Sequence, residues 1–425
     1  MPTLRTVTLG CKVNQYETEF VRQSLASIGY RDATGGEPAD LCLVNTCTVT
    51  HEGDAKSRQT IRQLARRNPG TRIVVMGCYA TRAPDEVAAL PAVTEVITDK
   101  RELPDLLGRF GVVDLPTGIS TFAGHQRAYI KVQDGCMLRC SFCIIPYVRP
   151  HLASRPPEHI VAEVRRLYAN GYREFVLTGI HLGHYGVEWN RGRKKEQWTR
   201  LSHLLARLVA IEGDFRIRLS SIEATEVTRE LIDVMATHPD KICPHLHVSL
   251  QSGSDAVLRR MRRRWGAQRF ADRCRLVQQT LDQPAITTDI IVGFPGETEE
   301  DFQATCDLGR EVGFSKIHIF PFSARRGTPA AEMTGQVTPE VKSDRVQRLR
   351  ALAEQLRDRY YASLVGRQLR VLIESPMVDR PGHMVGTSCR YAPVVFRGDV
   401  SQRKQFVEVM ADSMFDGRIE GRHVG

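Results

Sequence analysis

Short apolar runs alternate with helical patterns over the first 110 residues of the chain. Four of these runs predict buried strands, and helical periodicity near residues 17–28 and 53–67 falls between them. Such βαβ alternation predicts a parallel sheet. We therefore expect a Rossmann-like α/β domain over residues 1–112. Its predicted strands are residues 5–10, 41–47, 72–78 and 93–99.

The same alternation resumes on a larger scale over residues 122–338. Six β/α units suggest a partial (β/α)6 barrel, because a complete barrel of this kind needs eight. Its working face should lie at the C-terminal ends of the strands. The predicted strands are 128–133, 174–180, 216–222, 245–251, 286–293 and 316–322, and the predicted helices are 157–170, 198–211, 227–237, 266–281 and 298–312.

The last part of the chain predicts a helix followed by a small β domain. Residues 339–365 predict one long, charged helix that links two domains, since apolar side chains recur on one face. Residues 366–425 break into strand-like pieces separated by Gly, Pro and Asp, which predicts a small β-barrel. The apolar face of the helix comprises Val346, Leu349, Leu352, Leu356 and Tyr360.

Length and composition indicate an ordinary globular protein of several domains. The 425 residues are 42% hydrophobic and 25% charged, and they exceed the roughly 250 to 300 residues over which one core grows. The N-terminus lacks the apolar core of a signal peptide, and no apolar run reaches the roughly 18 to 20 residues of a membrane span. We expect a cytoplasmic protein with no membrane partner. In a reducing cytoplasm, 11 cysteines favour metal or redox chemistry over disulfides.

Positive charge is concentrated in two segments of a chain whose net charge is +10. Residues 259–275 hold eight arginines and one acid, and residues 340–370 hold eight basic and four acidic residues. A single arginine is most simply part of a solvated helix face. Two dense clusters in a basic chain favour a polyanionic partner, most simply nucleic acid.

Three cysteines follow strands of the predicted N-terminal sheet. Cys11, Cys47 and Cys78 each fall at or just past the C-terminal end of a strand. Because those ends share one edge of an open α/β sheet, the three side chains should converge there. One such cysteine would be most simply a small buried hydrophobe, but three at equivalent positions favour a ligand set.

A second group of three cysteines follows the first strand of the predicted barrel. Cys136, Cys140 and Cys143 are spaced C-x3-C-x2-C, a spacing whose chance expectation here is roughly 0.007. A zinc site would need a fourth ligand, for which His151 is the nearby candidate. Three thiolates on a 4Fe-4S cluster instead leave one iron open to a substrate or cofactor. The spacing favours the cluster.

Six segments of the chain together resemble the methylthiotransferase branch of the radical S-adenosylmethionine enzymes. The resemblance implies an N-terminal α/β domain, a radical barrel and a C-terminal TRAM β-barrel that binds RNA. It also implies two 4Fe-4S clusters, one on each group of three cysteines, and S-adenosylmethionine as cofactor. The segments are GCKVNQYE (10–17), VNTCTVT (44–50), VVMGCYA (74–80), CMLRCSFCIIPYVR (136–149), LHVSLQSGSD (246–255) and DIIVGFPGETEEDF (289–302).

The same resemblance suggests residues that contact S-adenosylmethionine. Phe142, beside the last cysteine, would lie near its adenine. Gly179, Glu223, Gln251 and Asp289 stand near strand ends that face the expected cofactor pocket, although each could equally hold a turn or a core hydrogen bond.

Two residues depart from the pattern of the family. Pro150 follows the arginine of PYVR where glycine is usual, and Ala224 follows SSIE where proline is usual. These departures concern the loop around Arg149 and the orientation of Glu223.

The implied reaction is methylthio transfer to carbon 2 of N-threonylcarbamoyladenosine at position 37 of tRNA. The segment GCKVNQYET resembles the threonylcarbamoyl-specific branch. Implied partners are the tRNA anticodon stem-loop, an electron donor such as a flavodoxin, and the iron-sulfur assembly machinery. The alternatives are methylthiolation of isopentenyladenosine in tRNA or of a ribosomal-protein aspartate, and a non-enzymatic RNA-binding iron-sulfur protein.

Overall fold

A computed structural model describes residues 1–424, and its first 110 residues form a five-stranded parallel sheet of order β2-β1-β3-β4-β5. Alternate residues of β3 face opposite ways, so Leu43 packs against one helical layer and Val44 against the other. The elements are β1 Thr3–Thr8, α1 Lys12–Ala26, β2 Arg31–Asp32, β3 Leu41–Thr46, α2 His51–Arg67, β4 Arg72–Gly77, α3 Cys78–Arg82, α4 Pro84–Ala88, β5 Val93–Val96 and α5 Leu103–Arg109.

Helix α1 begins five residues earlier than the sequence pattern predicts. Cys11 is its N-cap, and Asn14 and Glu17 in its first turns are buried. Buried polar residues at a domain junction have the same sequence signature as a solvated loop, so the start of the helix could not be read from hydrophobic periodicity.

The central part of the chain is a parallel barrel that does not close. One sheet has the order β7-β6-β8-β9 and the next has the order β10-β11-β12-β13. The parallel strands β6 and β13 stand on either side of the opening, and the two-residue β7 pairs antiparallel with the end of β6. The elements are β6 Ala128–Asp134, α6 Ile145–Val148, β7 Ala153–Ser154, α7 Pro157–Ala169, β8 Glu174–Gly179, α8 Leu201–Val209, β9 Arg216–Leu219, β10 Ser221–Ile222, α9 Arg229–Thr237, β11 His245–Val248, α10 Asp255–Arg260, α11 Ala267–Thr280, β12 Ala285–Val292, α12 Glu299–Val312 and β13 Lys316–Pro321.

A long helix and a closed five-stranded barrel follow. Leu349, Leu352 and Leu356 of the helix join the central core, while Tyr361 near its end joins the core of the C-terminal barrel. The barrel order is β14-β15-β16-β18-β17. The elements are α13 Pro339–Ala362, β14 Gln368–Pro376, β15 His383–Ser388, β16 Pro393–Arg397, β17 Phe406–Phe415 and β18 Arg418–His423.

Buried charges fix the C-terminal barrel to the central one. Arg216 and Arg218 of β9 share the fully buried carboxylate of Glu174. Their other guanidinium nitrogens donate to backbone carbonyls of the C-terminal barrel, among them those of Arg370 and Ser388. Since these donors would otherwise be buried without partners, the two barrels pack in one arrangement.

The predicted α/β fold, with its parallel N-terminal sheet, partial barrel and small C-terminal β-barrel, is confirmed. Among the described residues, no helix has the length and apolar character that crossing a bilayer requires.

Candidate active site

Cys11, Cys47 and Cys78, the strand-end trio, lie at one edge of the N-terminal sheet. They follow β1, β3 and β4, which are neighbours in that sheet. Two glycines allow the strand ends to approach, because Gly10 and Gly77 adopt φ values of +105° and +103°. A Cβ added at Gly10 would stand 3.1 Å from the Cys47 Sγ. The structure therefore brings together three cysteines that are more than thirty residues apart in sequence.

Cys136, Cys140 and Cys143, the barrel-loop trio, follow strand β6 and line a cavity of about 180 Å³. The loop is held by backbone hydrogen bonds, since the Cys136 N–H donates to the Arg149 carbonyl at 3.1 Å and the Cys143 N–H donates to the Cys140 carbonyl at 3.1 Å. We call this space the cysteine cavity.

Three of the residues predicted to contact S-adenosylmethionine line the cysteine cavity. They are Phe142, Glu223 and Gln251, and Gln251 adopts a left-handed φ of +71°. Gly179 immediately precedes Ile180, which also lines it. Asp289 lies elsewhere, in a separate cavity of the barrel lumen.

A single metal ion would require the three sulfurs of a trio to lie close together. A tetrahedral zinc site has Zn–S bonds of roughly 2.3 Å, which places its sulfurs roughly 3.8 Å apart. Among the described residues, neither cysteine trio is a set of three ligand atoms within 4.8 Å of one another. Two convergent sets of soft thiol ligands at wider spacing fit an iron-sulfur cluster better than one ion.

His151, the sequence candidate for a fourth zinc ligand, does not approach the barrel-loop trio as a ligand would. Its Nε2 lies 3.1 Å from a guanidinium nitrogen of Arg101 in the N-terminal domain. The imidazole beside the trio is instead that of His181, whose Nδ1 lies 3.7 Å from the Cys136 Sγ. The other nitrogen of His181 lies 3.3 Å from a carboxylate oxygen of Glu226.

Buried arginines contact one sulfur of each trio. Arg263 Nη1 donates to the Cys140 Sγ at 3.3 Å and also pairs with Glu223. Arg149 Nε donates to the Cys78 Sγ at 3.4 Å. Burial raises the pKa of the Cys140 thiol, and the charge of Arg263 opposes that rise. Cationic donors beside thiolates stabilise the ionised form that binds metals.

Arg149 connects the two trios. Its carbonyl accepts the Cys136 N–H, and its guanidinium contacts Cys78 across the domain boundary. The guanidinium also donates to Glu17 of α1 and to Asp134 of β6. A single buried side chain therefore fixes the relative position of both groups of cysteines.

Sequence reasoning did not identify Arg149, Arg263 or His181 as part of the site. Arg263 was counted within the basic segment 259–275, yet its side chain is buried and ion-paired. The exposed arginines of that segment include Arg259, Arg262 and Arg264. Exposed arginines such as these can meet a polyanion at the surface, whereas Arg263 cannot.

Two protein families match the chain. Residues 130–309 match the Radical SAM superfamily, and residues 3–99 match the Uncharacterized protein family UPF0004. Each match contains one of the two cysteine trios.

Relatives of known name match nearly the whole chain. The threonylcarbamoyladenosine tRNA methylthiotransferase MtaB of Bacillus subtilis is 41% identical over 96% of this chain and 93% of its own length. The tRNA-2-methylthio-N(6)-dimethylallyladenosine synthase of Corynebacterium diphtheriae is 36% identical over 87% of this chain and 75% of its own.

A solved structure shares the fold. The radical S-adenosylmethionine methyltransferase TsrM from Kitasatospora setae aligns with a TM-score of 0.57 and 14% sequence identity, covering 78% of this chain and 75% of that one. At this identity the likeness concerns the fold alone.

Proposed function

We propose that the chain replaces the C2 hydrogen of N-threonylcarbamoyladenosine at position 37 of tRNA with a methylthio group. The chain belongs to the radical S-adenosylmethionine tRNA methylthiotransferases. The observation that carries this proposal is the 41% identity, over 96% of the chain, to a relative named for threonylcarbamoyladenosine. The relative named for dimethylallyladenosine is 36% identical and matches a smaller part of the chain.

The family uses S-adenosylmethionine and two 4Fe-4S clusters, and we assign the cysteines to them. Cys136, Cys140 and Cys143 would hold the cluster that binds S-adenosylmethionine, with Phe142, Gly179, Glu223 and Gln251 as the proposed cofactor contacts; Asp289, which lies outside the cysteine cavity, is not among them. Cys11, Cys47 and Cys78 would hold the second cluster. When bound, S-adenosylmethionine would supply the methyl group, the second cluster would carry the sulfur, and the first cluster would supply the one-electron chemistry that an unactivated C–H bond requires.

The chain's own residues orient these groups and balance their charge. Arg149 contacts one cysteine of each trio and so holds the two trios in one relative position. Arg263 offsets the negative charge of thiolates at Cys140 and positions Glu223 at the same cavity. The sulfurs that these arginines contact belong to the buried residues Cys78 and Cys140, so water has limited access to them.

The proposed partners follow from charge and family. The exposed arginines of residues 259–275 and the C-terminal β-barrel would contact phosphates of the tRNA anticodon stem-loop. An adenosine in that loop is splayed out at little cost, whereas a paired base costs a few kcal/mol to extrude. An electron donor such as a flavodoxin and the iron-sulfur assembly machinery would serve the clusters, and we place the protein in the cytoplasm with the tRNA.

The test offers the cluster-loaded protein two anticodon stem-loops that differ only at the N6 substituent of the target adenosine. We expect mass spectrometry to show one methylthio group in place of one hydrogen on the threonylcarbamoyl form. A stem-loop with unmodified adenosine is the control. Preference for the dimethylallyl form would overturn the substrate assignment, and reaction with neither RNA would return attention to a ribosomal-protein acceptor.

A further inference from the structure

The barrel lumen holds a cavity of about 230 Å³ that lies beside both groups of cysteines. It shares Ser221 with the cysteine cavity, and Lys12, the neighbour of Cys11 in sequence, lines another part of it. We call it the lumen cavity. Its polar lining on the three consecutive strands β11, β12 and β13 comprises His245, His247, Thr287, Asp289 and His318.

Three of these side chains converge on one point. The potential ligand atoms of His247, Asp289 and His318 all lie within 4.8 Å of one another. His247 Nδ1 lies 3.0 Å from the Thr287 hydroxyl, which orients the ring so that Nε2 is 3.2 Å from a carboxylate oxygen of Asp289. Within residues 1–424, His247 is the basic side chain that lies within 4.0 Å of Asp289. The carboxylate therefore retains capacity to accept further hydrogen bonds.

Lys12 is the cation of this cavity that remains available to a ligand. No carboxylate of residues 1–424 lies within 4.0 Å of its ammonium group. The two arginines that also line the cavity are engaged elsewhere, since Arg127 pairs with Glu374 and Arg218 pairs with Glu174. Lys12 is half-buried, so an anionic ligand in the cavity would replace water at its ammonium group and pair with it.

The lumen cavity adjoins a larger surface cavity of about 900 Å³ at the opening between β6 and β13. The outer walls of the surface cavity come from helix α13 and the C-terminal barrel. A nucleotide that enters at this opening would meet the lumen cavity before it reached the cysteines. The two cavities share Arg127, Tyr129, His318, Phe320 and Tyr391.

Resting on the proposed function, we propose that the lumen cavity binds the threonylcarbamoyl group of the substrate nucleoside. Lys12 pairs with its carboxylate. Asp289 accepts hydrogen bonds from its hydroxyl and urea N–H groups, and His247 and His318 complete the polar wall.

The chemistry of the competing substituent supports this choice of ligand. A dimethylallyl group has no polar atoms, so its entry would bury Lys12 and Asp289 without new partners. Sites built to hydrogen-bond a ligand reject the analogue that lacks the polar group more strongly than apolar pockets reject a wrong shape. The lumen cavity would thus select the substrate, while the cysteines carry out the chemistry.

The test measures equilibrium binding of stem-loop RNAs to the anaerobic, cluster-loaded full-length protein. The target adenosine carries threonylcarbamoyl, its methyl ester or dimethylallyl, and the ester removes the negative charge with little change of shape. We expect Lys12→Met to weaken binding of the acid roughly 10- to 100-fold, as for a charge-assisted hydrogen bond, and to leave the ester nearly unaffected. Asp289→Asn should weaken binding of acid and ester alike.

Two controls distinguish a loss of ligand recognition from damage to the fold or to the cluster. Lys56→Met removes an exposed lysine of helix α2 in the same domain and should leave the preference for the acid unchanged. Iron content of each variant shows whether the neighbouring Cys11 still holds its cluster. Damage to the fold would weaken all three RNAs equally.

The possible results are distinguishable. If the wild-type protein shows no preference for the threonylcarbamoyl RNA, the proposed function fails and the inference fails with it. If the wild type prefers that RNA but Lys12→Met weakens acid and ester equally, the inference is wrong and the proposed function stands. If a chelator that spares the clusters abolishes the preference, the three converging side chains hold a divalent ion, and the proposed direct hydrogen bonds of the ligand to Asp289 are wrong.

Discussion

Glu17 of helix α1 is the anion on which the junction between the N-terminal domain and the barrel depends. Its carboxylate accepts hydrogen bonds from Arg149 at 2.9 and 3.0 Å. Lys131 of β6 lies 2.8 Å away and Lys100 lies 2.9 Å away. Asp134 is the other carboxylate of this group. Glu17→Gln would therefore leave three largely buried cations with one carboxylate instead of two.

The expected loss of stability follows from the burial of these groups. Removing one partner of a buried ion pair typically costs about 3 to 5 kcal/mol, because the remaining charge is left uncompensated. Asp134 still pairs with Arg149 and Lys131 in the variant, so Lys100 alone loses its carboxylate partner. We therefore expect the lower end of the range, about 3 kcal/mol. With a urea m-value of about 4 kcal/mol/M, above the range of small proteins because the chain is long, the unfolding midpoint should fall by about 0.8 M.

The assay is urea unfolding of the cluster-free protein, followed by circular dichroism. Asp32→Asn is the matched control, because Asp32 is an exposed acid of the same domain whose partner Arg22 also pairs with Glu19. We expect the control midpoint to move little. A shift of the Glu17→Gln midpoint no larger than that of the control would refute the reasoning.

Glu17→Gln and its control Asp32→Asn should also differ in how their stability depends on pH. Burial raises the pKa of Glu17, but Arg149 and the two lysines outweigh it and hold the pKa well below the ordinary value of 4.5. The stabilisation is therefore complete above that value and is lost as the pH falls through the lower folded pKa. Glu17→Gln should lack this part of the acid dependence.

Two further predictions concern the cysteines and the RNA surface. Cys140→Ala should abolish S-adenosylmethionine cleavage, whereas Cys47→Ala should retain some cleavage and stop sulfur transfer. Iron content and release of 5'-deoxyadenosine measure these effects. Loss of all cluster absorbance in Cys47→Ala would contradict the assignment of two sites. Arg397 and Arg418 are exposed on neighbouring strands of the C-terminal barrel. Arg397→Gln and Arg418→Gln should each weaken stem-loop binding and reduce the steepness of the plot of log affinity against log salt concentration by about one. Unchanged slopes would place the phosphate contacts elsewhere.

The sequence by itself determined the parallel sheets and the two sets of cysteines. Alternation of apolar runs with helical patterns depends on local chain geometry, so it located the strands within a few residues. The positions of Cys11, Cys47 and Cys78 after three strands predicted their convergence, because neighbouring parallel strands end at one edge. Both inferences rest on periodicity and topology, which a single sequence carries.

The sequence pattern did not show which cavity Asp289 lines. The predicted strand, residues 286–293, agrees with β12 to within one residue, but Asp289 lines the lumen cavity beside His247 and not the cysteine cavity. Periodicity locates a strand along the chain, whereas the cavity that one side chain enters depends on how the strands pack in the barrel.

Only the tertiary structure decided which distant side chains meet. Arg149 contacts Glu17 and Cys78 across a domain boundary, and Lys12 lines the same cavity as His318 more than three hundred residues away. No local pattern encodes such contacts, because they depend on how separately formed layers pack and on which buried charges must find partners. The packing of the domains therefore determines which polar residues surround the cysteines, while the local sequence determines where the cysteines stand.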